Sequence, residues 1–111
     1  MIVLVCGGRN FDDAAALSAA LNSLDISLLI EGGARGADRL AREWAGANMV
    51  PVRTFAADWR LHGGAAGPIR NAAMLRGGKP DLIVAFPGGR GTADMCAKAE
   101  LAGVRVIRPL G

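Results

Sequence analysis

Short apolar runs alternate with amphipathic stretches along the whole chain. Ile2–Cys6 (IVLVC) is an apolar run closed by a Gly-Gly pair, the pattern of a buried parallel strand. Asp12 and Asp13 can cap a following helix in which Leu17, Leu21 and Leu24 share one face. Ser27–Glu31 is a second apolar run, again closed by Gly-Gly, and a helix is predicted from about Ala34 to Ala47. Its buried stripe is Ala37, Leu40, Ala41 and Trp44. Pro51–Phe55 reads as a third strand and Ala56–Gly67 as a loop. A helix from Pro68 to Arg76 then stops at Gly77-Gly78. Asp81–Phe86 is the fourth strand, Thr92–Ala102 the fourth helix and Val104–Ile107 the final strand. This order predicts a Rossmann-like three-layer α/β fold, with a parallel sheet of about five strands and right-handed crossovers.

The 111 residues suit one domain, 1–111, with no internal repeat or interdomain linker. With 51% hydrophobic and 21% charged residues the chain is not disordered. Eleven of its thirteen basic residues are Arg, the side chain suited to planar recognition of phosphate or carboxylate. Residues 1–55 carry five basic and six acidic side chains, and residues 56–111 carry eight and four. No basic run or basic helix face emerges, so duplex nucleic acid is not an expected partner. Cys6 and Cys96 belong to no metal-ligand cluster, so no metal site is expected. They fit small buried residues of a reduced, cytoplasmic protein. No segment has the length of a secretory signal or a membrane span.

The glycines supply the candidate chemistry. Gly7-Gly8-Arg9, Gly32-Gly33-Ala34-Arg35-Gly36 and Pro87-Gly88-Gly89-Arg90-Gly91-Thr92 each follow an apolar strand and precede a helix. In a parallel sheet all three meet at one edge, where α/β folds bind ligands. Helix starts present unpaired N–H groups, and glycine lets an anion approach the backbone closely. A phosphate-binding pocket is therefore expected. The loops are not those of a P-loop NTPase, because no G-x-x-x-x-G-K-[ST] is present. Gly89-Arg90-Gly91-Thr92-Ala93-Asp94 also fails the dinucleotide pattern at its last position.

Other residues near these loops have two readings each. Asp94 either stabilises a helix dipole or accepts a ribose hydroxyl. Glu31 either binds a sugar hydroxyl or pairs with Arg35 or Arg9, and pairing is the simpler reading. Asp38 either caps backbone or orients Arg35. Trp59 either stacks on a base or covers the core. Trp44, Phe55 and Phe86 read as packing residues. His62 is a lone loop histidine with no evident nucleophile beside it.

The loop Pro87–Thr92 (PGGRGT) resembles the P-G-G-x-G-T motif of the lonely-guy phosphoribohydrolases and the wider SLOG superfamily. Arg70-Asn71-Ala72-Ala73-Met74 resembles the R-K-A-x-M segment of those enzymes. The nearly full-length combination of GGR, EGGARGAD, ADW-x-x-HG, RN-x-x-M and PGGRGTADM is similar to a small SLOG family of undefined function. The resemblance implies that Gly88, Gly89, Gly91 and Thr92 cradle a phosphate and that Arg70 assists at the ribose. It also implies a homodimer or higher homo-oligomer. The enzymes' catalytic Glu falls on Met95 here, and Asp94 lies about 100° away around the helix.

The reading that follows is a module binding a nucleotide or nucleotide-derived small molecule, as a sensor or sequestering protein, with no cofactor. Its binding residues are those of the three glycine clusters (Ala34 excepted) with Trp59, Arg70, Asn71 and Asp94. The alternative is a nucleoside 5′-monophosphate phosphoribohydrolase using Arg70 with Asp94 or Glu31. A third reading, single-stranded nucleic acid binding, lacks the clustered basic and aromatic residues it needs.

Overall fold

The computed structural model describes residues 1–111 throughout. Five strands form one parallel sheet: β1 (Ile2–Cys6), β2 (Leu28–Glu31), β3 (Val52–Thr54), β4 (Leu82–Ala85) and β5 (Arg105–Ile107). Their order is β3-β2-β1-β4-β5. The helices are α1 (Ala14–Asn22), α2 (Ala37–Ala47), α3 (Trp59–His62), α4 (Ala66–Gly78) and α5 (Arg90–Leu101). The Rossmann-like α/β expectation is met.

Strand periodicity divides the core in two. Successive side chains of a strand point to opposite faces. Val3 and Val5 accordingly join Leu17, Leu21, Ala41 and Trp44 beneath α1 and α2. Leu4 and Cys6 join Ile30, Ile83, Met74 and Met95 beneath α4 and α5. β1 is central and covered on both sides, which is why its apolar run is unbroken. Asp13 caps α1 by accepting from the Ala16 amide at 3.0 Å, a contact typically worth about 1 kcal/mol. Trp44 keeps its ring in the core and donates its Nε1–H to Asn22 at 2.9 Å.

Several boundaries differ from the sequence expectation. α2 starts at Ala37 rather than Ala34, because Gly33 and Gly36 take positive φ values of 74° and 76°. The stretch read as a loop holds α3, whose start Asp58 caps by accepting from the Leu61 amide, and a 3₁₀ turn at Gly63–Ala65. α4 runs through Gly77-Gly78 and ends at Lys79, which adopts the left-handed conformation (φ 49°). Gly78 lies against Ile30, where a Cβ would come within 2.6 Å of Cδ1. α5 opens at Arg90, two residues early, with Gly89 as its N-cap. No helix is long and apolar enough to cross a membrane.

Candidate functional site

The chain leaves β1 for β2 and β3 on one side, then returns to place β4 on the other. The loops after β1 and β4 therefore diverge at a switch point, the usual ligand crevice of such sheets. A cavity of about 610 Å³ opens there. Its volume falls in the range of small-molecule sites.

The glycine loops build this crevice in two ways. Some glycines are required by packing. A side chain on Gly36 would strike the carbonyl of Gly8, one on Gly32 would meet the Arg70 guanidinium, and one on Gly88 would meet Thr92. The Gly8 amide donates to the Pro87 carbonyl at 2.8 Å, tying the first and third loops together. The Ala37 amide donates to the Gly8 carbonyl at 3.1 Å, tying in the second. Gly89 and Gly91 are different. A Cβ on either would meet nothing within 4 Å, and both line the cavity. The fold leaves them free to carry side chains, so their bareness keeps space open above the start of α5.

That helix start is uncapped: Gly89 offers no side chain, and no acidic residue occupies the first turn. The amides of Arg90, Gly91 and Thr92 have no acceptor in a preceding turn. Three arginines surround the opening. Arg9, Arg70 and Arg90 line the cavity, and none of them forms an ion pair. The Arg9 guanidinium lies over the Trp59 ring, 5.2 Å from its centroid. Arg70 donates from Nη1 to the Gly32 carbonyl and from Nε to Asn71 Oδ1 at 3.0 Å.

The cavity thus brings together Gly7, Gly8, Arg9, Trp59, Arg70, Asn71, Gly89, Arg90, Gly91, Thr92 and Asp94. Gly32, Gly33, Arg35, Gly36, Pro87 and Gly88 do not line it. They shape the loops behind it, except Arg35, which is exposed and bonds to nothing. Pro87 and Gly88 face a second hollow of about 530 Å³ between α5 and the C-terminal residues.

The sequence profile of the YspA, cpYpsA-related SLOG family matches residues 1–62. A Gene 61 protein of Mycobacterium phage D29 is 40% identical over 118 aligned positions, covering 95% of this chain and 93% of the relative. The chain belongs to the YspA, cpYpsA-related SLOG family.

Within this SLOG domain two carboxylates flank the glycine loops. Glu31, fully buried, pairs with Arg42 at 3.0 Å and accepts from the Gly33 amide at 2.7 Å and from the Thr54 hydroxyl. Its partner is therefore neither Arg35 nor Arg9. Asp94 lines the cavity but is held by Lys98 and by Asn71, which also donates to the Gly91 carbonyl at 3.1 Å. Burial pushes the Asp94 carboxyl up, but the hydrogen bonds from Lys98 and Asn71 outweigh it and hold it below its ordinary value. Met95 is fully buried in the core beneath α4 and α5.

Sequence reasoning gave little weight to Asp38 and passed over Gly64 and Gly67. Asp38 lines the cavity although it is only 7% exposed. The Gly32 and Ala34 amides both donate to its Oδ2 at 3.2 Å, so it braces the second loop and does not touch Arg35. Burial raises its carboxyl to about 6, helped by Glu31 and opposed by the two amides and Arg70. Its position in the first turn after a glycine loop was the available signal. Gly64 and Gly67 enter because the segment after α3 folds back over the crevice.

Proposed function

We propose that this domain binds a nucleotide or nucleotide-derived ligand, with a phosphate seated on the start of α5. One observation carries the reading. The uncapped amides of Arg90, Gly91 and Thr92 face a cavity that Gly89 and Gly91 keep empty, beside guanidiniums with no carboxylate partner. Helix dipole, free N–H groups and unpaired Arg all favour an anion there. Trp59, about half exposed on the cavity wall, offers a flat apolar face beside Arg9 for a base. Membership of the SLOG family supports nucleotide chemistry as the source of that anion.

The role is that of a sensor or sequestering module rather than a hydrolase. Met95 sits in the core, and Asp94 is tied to Lys98 and Asn71. The test is mass spectrometry of small molecules released from protein purified out of cells, followed by calorimetry with what is found. Arg70→Ala is expected to weaken binding by roughly 1.5–3 kcal/mol, the range for a charge-assisted hydrogen bond. A protein that releases no phosphate-bearing compound and binds no nucleotide by calorimetry contradicts the reading.

A further inference from the structure

Asp38 holds the one polar atom of the crevice wall that the fold leaves unanswered in a deeply buried side chain. Both backbone donors reach Oδ2, and no protein group donates to Oδ1. No buried side-chain oxygen of the chain is both sealed from solvent and unpartnered, so Oδ1 reaches the cavity that Asp38 lines. An ionised carboxylate oxygen only accepts hydrogen bonds. Open to the cavity, it can be answered by water, so a ligand that covers it must supply a donor in water's place. A second phosphate would bring like charge to the same spot. A hydroxyl would satisfy it.

The placement of the remaining groups orients such a ligand. Asn71 reaches the Gly91 carbonyl at the start of α5, and its neighbour Arg70 reaches the Gly32 carbonyl beside Asp38. These two residues bridge an anion-binding end and an acceptor end of one cavity. The geometry points to Asp38 Oδ1 as the acceptor for a sugar hydroxyl of a ligand whose phosphate sits on α5, making the preferred ligand a riboside phosphate rather than a deoxy sugar phosphate. This rests on the nucleotide reading above.

The environment of Asp38 also sets a pH signature. Burial and Glu31 from β2 oppose its ionisation, while the Ala34 and Gly32 amides and Arg70 from α4 favour it. The thiol of Cys6 on β1, raised by its contact with Cys96, by burial and by Asp38 itself, stays neutral and adds no charge. Burial leads, and the carboxyl titrates at about 6. The acceptor is fully formed only above that pH.

The experiment is calorimetry of the whole chain with the ribonucleoside 5′-monophosphates, their 2′,3′-dideoxy counterparts and inorganic phosphate, at about pH 7.5 and about pH 5. At the higher pH the bound ribonucleotide is expected to exceed its dideoxy counterpart by about tenfold to a hundredfold, as for a hydrogen bond to a charged group. The preference should shrink at the lower pH. Asp38→Asn keeps an oxygen for the two amides, and its melting temperature checks the fold. It should show a small preference that no longer depends on pH. Equal affinity for ribo and dideoxy forms overturns the Asp38 assignment and leaves the nucleotide site standing. Failure of every nucleotide to bind overturns both.

Discussion

Asn71 and Asp94 are joined across the floor of the crevice, Nδ2 donating to Oδ2 at 3.0 Å. The same amide reaches the Gly91 carbonyl, so a single buried side chain on α4 fixes the first turn of α5. Asn71→Ala removes these two bonds, and the one its Oδ1 accepts from Arg70, at a residue that is 3% exposed. It is expected to destabilise the fold by about 1–3 kcal/mol, the range for leaving buried polar groups unmade. Urea denaturation checks this. An unchanged midpoint means that the first turn of α5 is held by something else.

Two glycines of the site should respond to substitution in opposite directions. Gly91 lies within α5 with open space around a virtual Cβ, and alanine is the better helix former. Gly91→Ala should therefore leave the empty protein as stable or raise its stability by about 0.5 kcal/mol, while its methyl obstructs the anion and lowers nucleotide affinity. Gly36 has φ 76°, and a Cβ there would strike the Gly8 carbonyl. Gly36→Ala should cost roughly 1–3 kcal/mol of stability, as strained backbone positions do. Paired thermal melts and calorimetry separate the two. The Gly91→Ala protein binding with full affinity would remove the anion from α5.

The contrast between these glycines shows what the sequence could and could not disclose. Three glycine clusters after three apolar runs placed the crevice at the carboxyl edge of the sheet. They could not show that Gly32, Gly36 and Gly88 answer to packing while Gly89 and Gly91 face open space, because that depends on which neighbours fold back. β1, β2 and β4 were legible because each is a largely buried apolar run bounded by punctuation, whereas the edge strands β3 and β5 expose polar residues and stand out mainly by their place in the alternation. α3 was not legible, since four residues carry too little periodicity, and its order comes from the Asp58 cap and the turn that follows. The partner of Glu31 was missed for a similar reason. Arg42, eleven positions along on α2, is brought to it only by the way that helix packs back against the end of β2.

The buried Asp38 should make stability depend on pH in a defined window. Its carboxyl titrates at about 6 in the fold against an ordinary 3.8, chiefly because burial disfavours the charge. The folded state thus holds the proton more tightly than the unfolded state. The resulting stabilisation is fully present below about pH 4 and is lost as pH rises through about 6, amounting to at most about 3 kcal/mol. Asp38→Asn has no proton to lose. The difference in unfolding free energy between variant and wild type should therefore move in favour of the variant between pH 4 and pH 6 and stay level above. A difference that is flat across that window shows that Asp38 is not buried as described.

Self-association is expected to involve the rim of the crevice. Trp59, Leu61 and Ile69 on α3 and α4 are exposed by 48%, 72% and 45%, on the segment that folds over the cavity. Covering them by a symmetric copy would withdraw apolar surface from water at one self-complementary patch. Light scattering should give the mass of a dimer, and Leu61→Glu should shift it towards the monomer. A single monomeric mass at high protein concentration contradicts the expectation.

Nucleotide hydrolysis is expected to be absent or slow. Breaking the bond between base and ribose requires a group that assists departure of the base or activates water at the sugar carbon. The position corresponding to the catalytic Glu of the lonely-guy enzymes is Met95, whose side chain lies wholly in the core and offers neither proton nor charge. Asp94 reaches the cavity, but its oxygens are occupied by Lys98 and Asn71. Those bonds hold its carboxyl below the ordinary value, so it is ionised at neutral pH and cannot serve as an acid. As a base it would act against Lys98 and Asn71, both of which lower its affinity for a proton. Incubation with nucleoside monophosphates, followed by chromatography for free base, should show binding stoichiometry without turnover. If base accumulates at an ordinary enzymatic rate and Asp94→Asn abolishes it, Asp94 supplies the chemistry despite its two partners, and the domain is a phosphoribohydrolase. Base release that survives Asp94→Asn but not Asp38→Asn would instead move the chemistry to the other wall of the crevice, where a carboxyl titrating at about 6 already has a free oxygen.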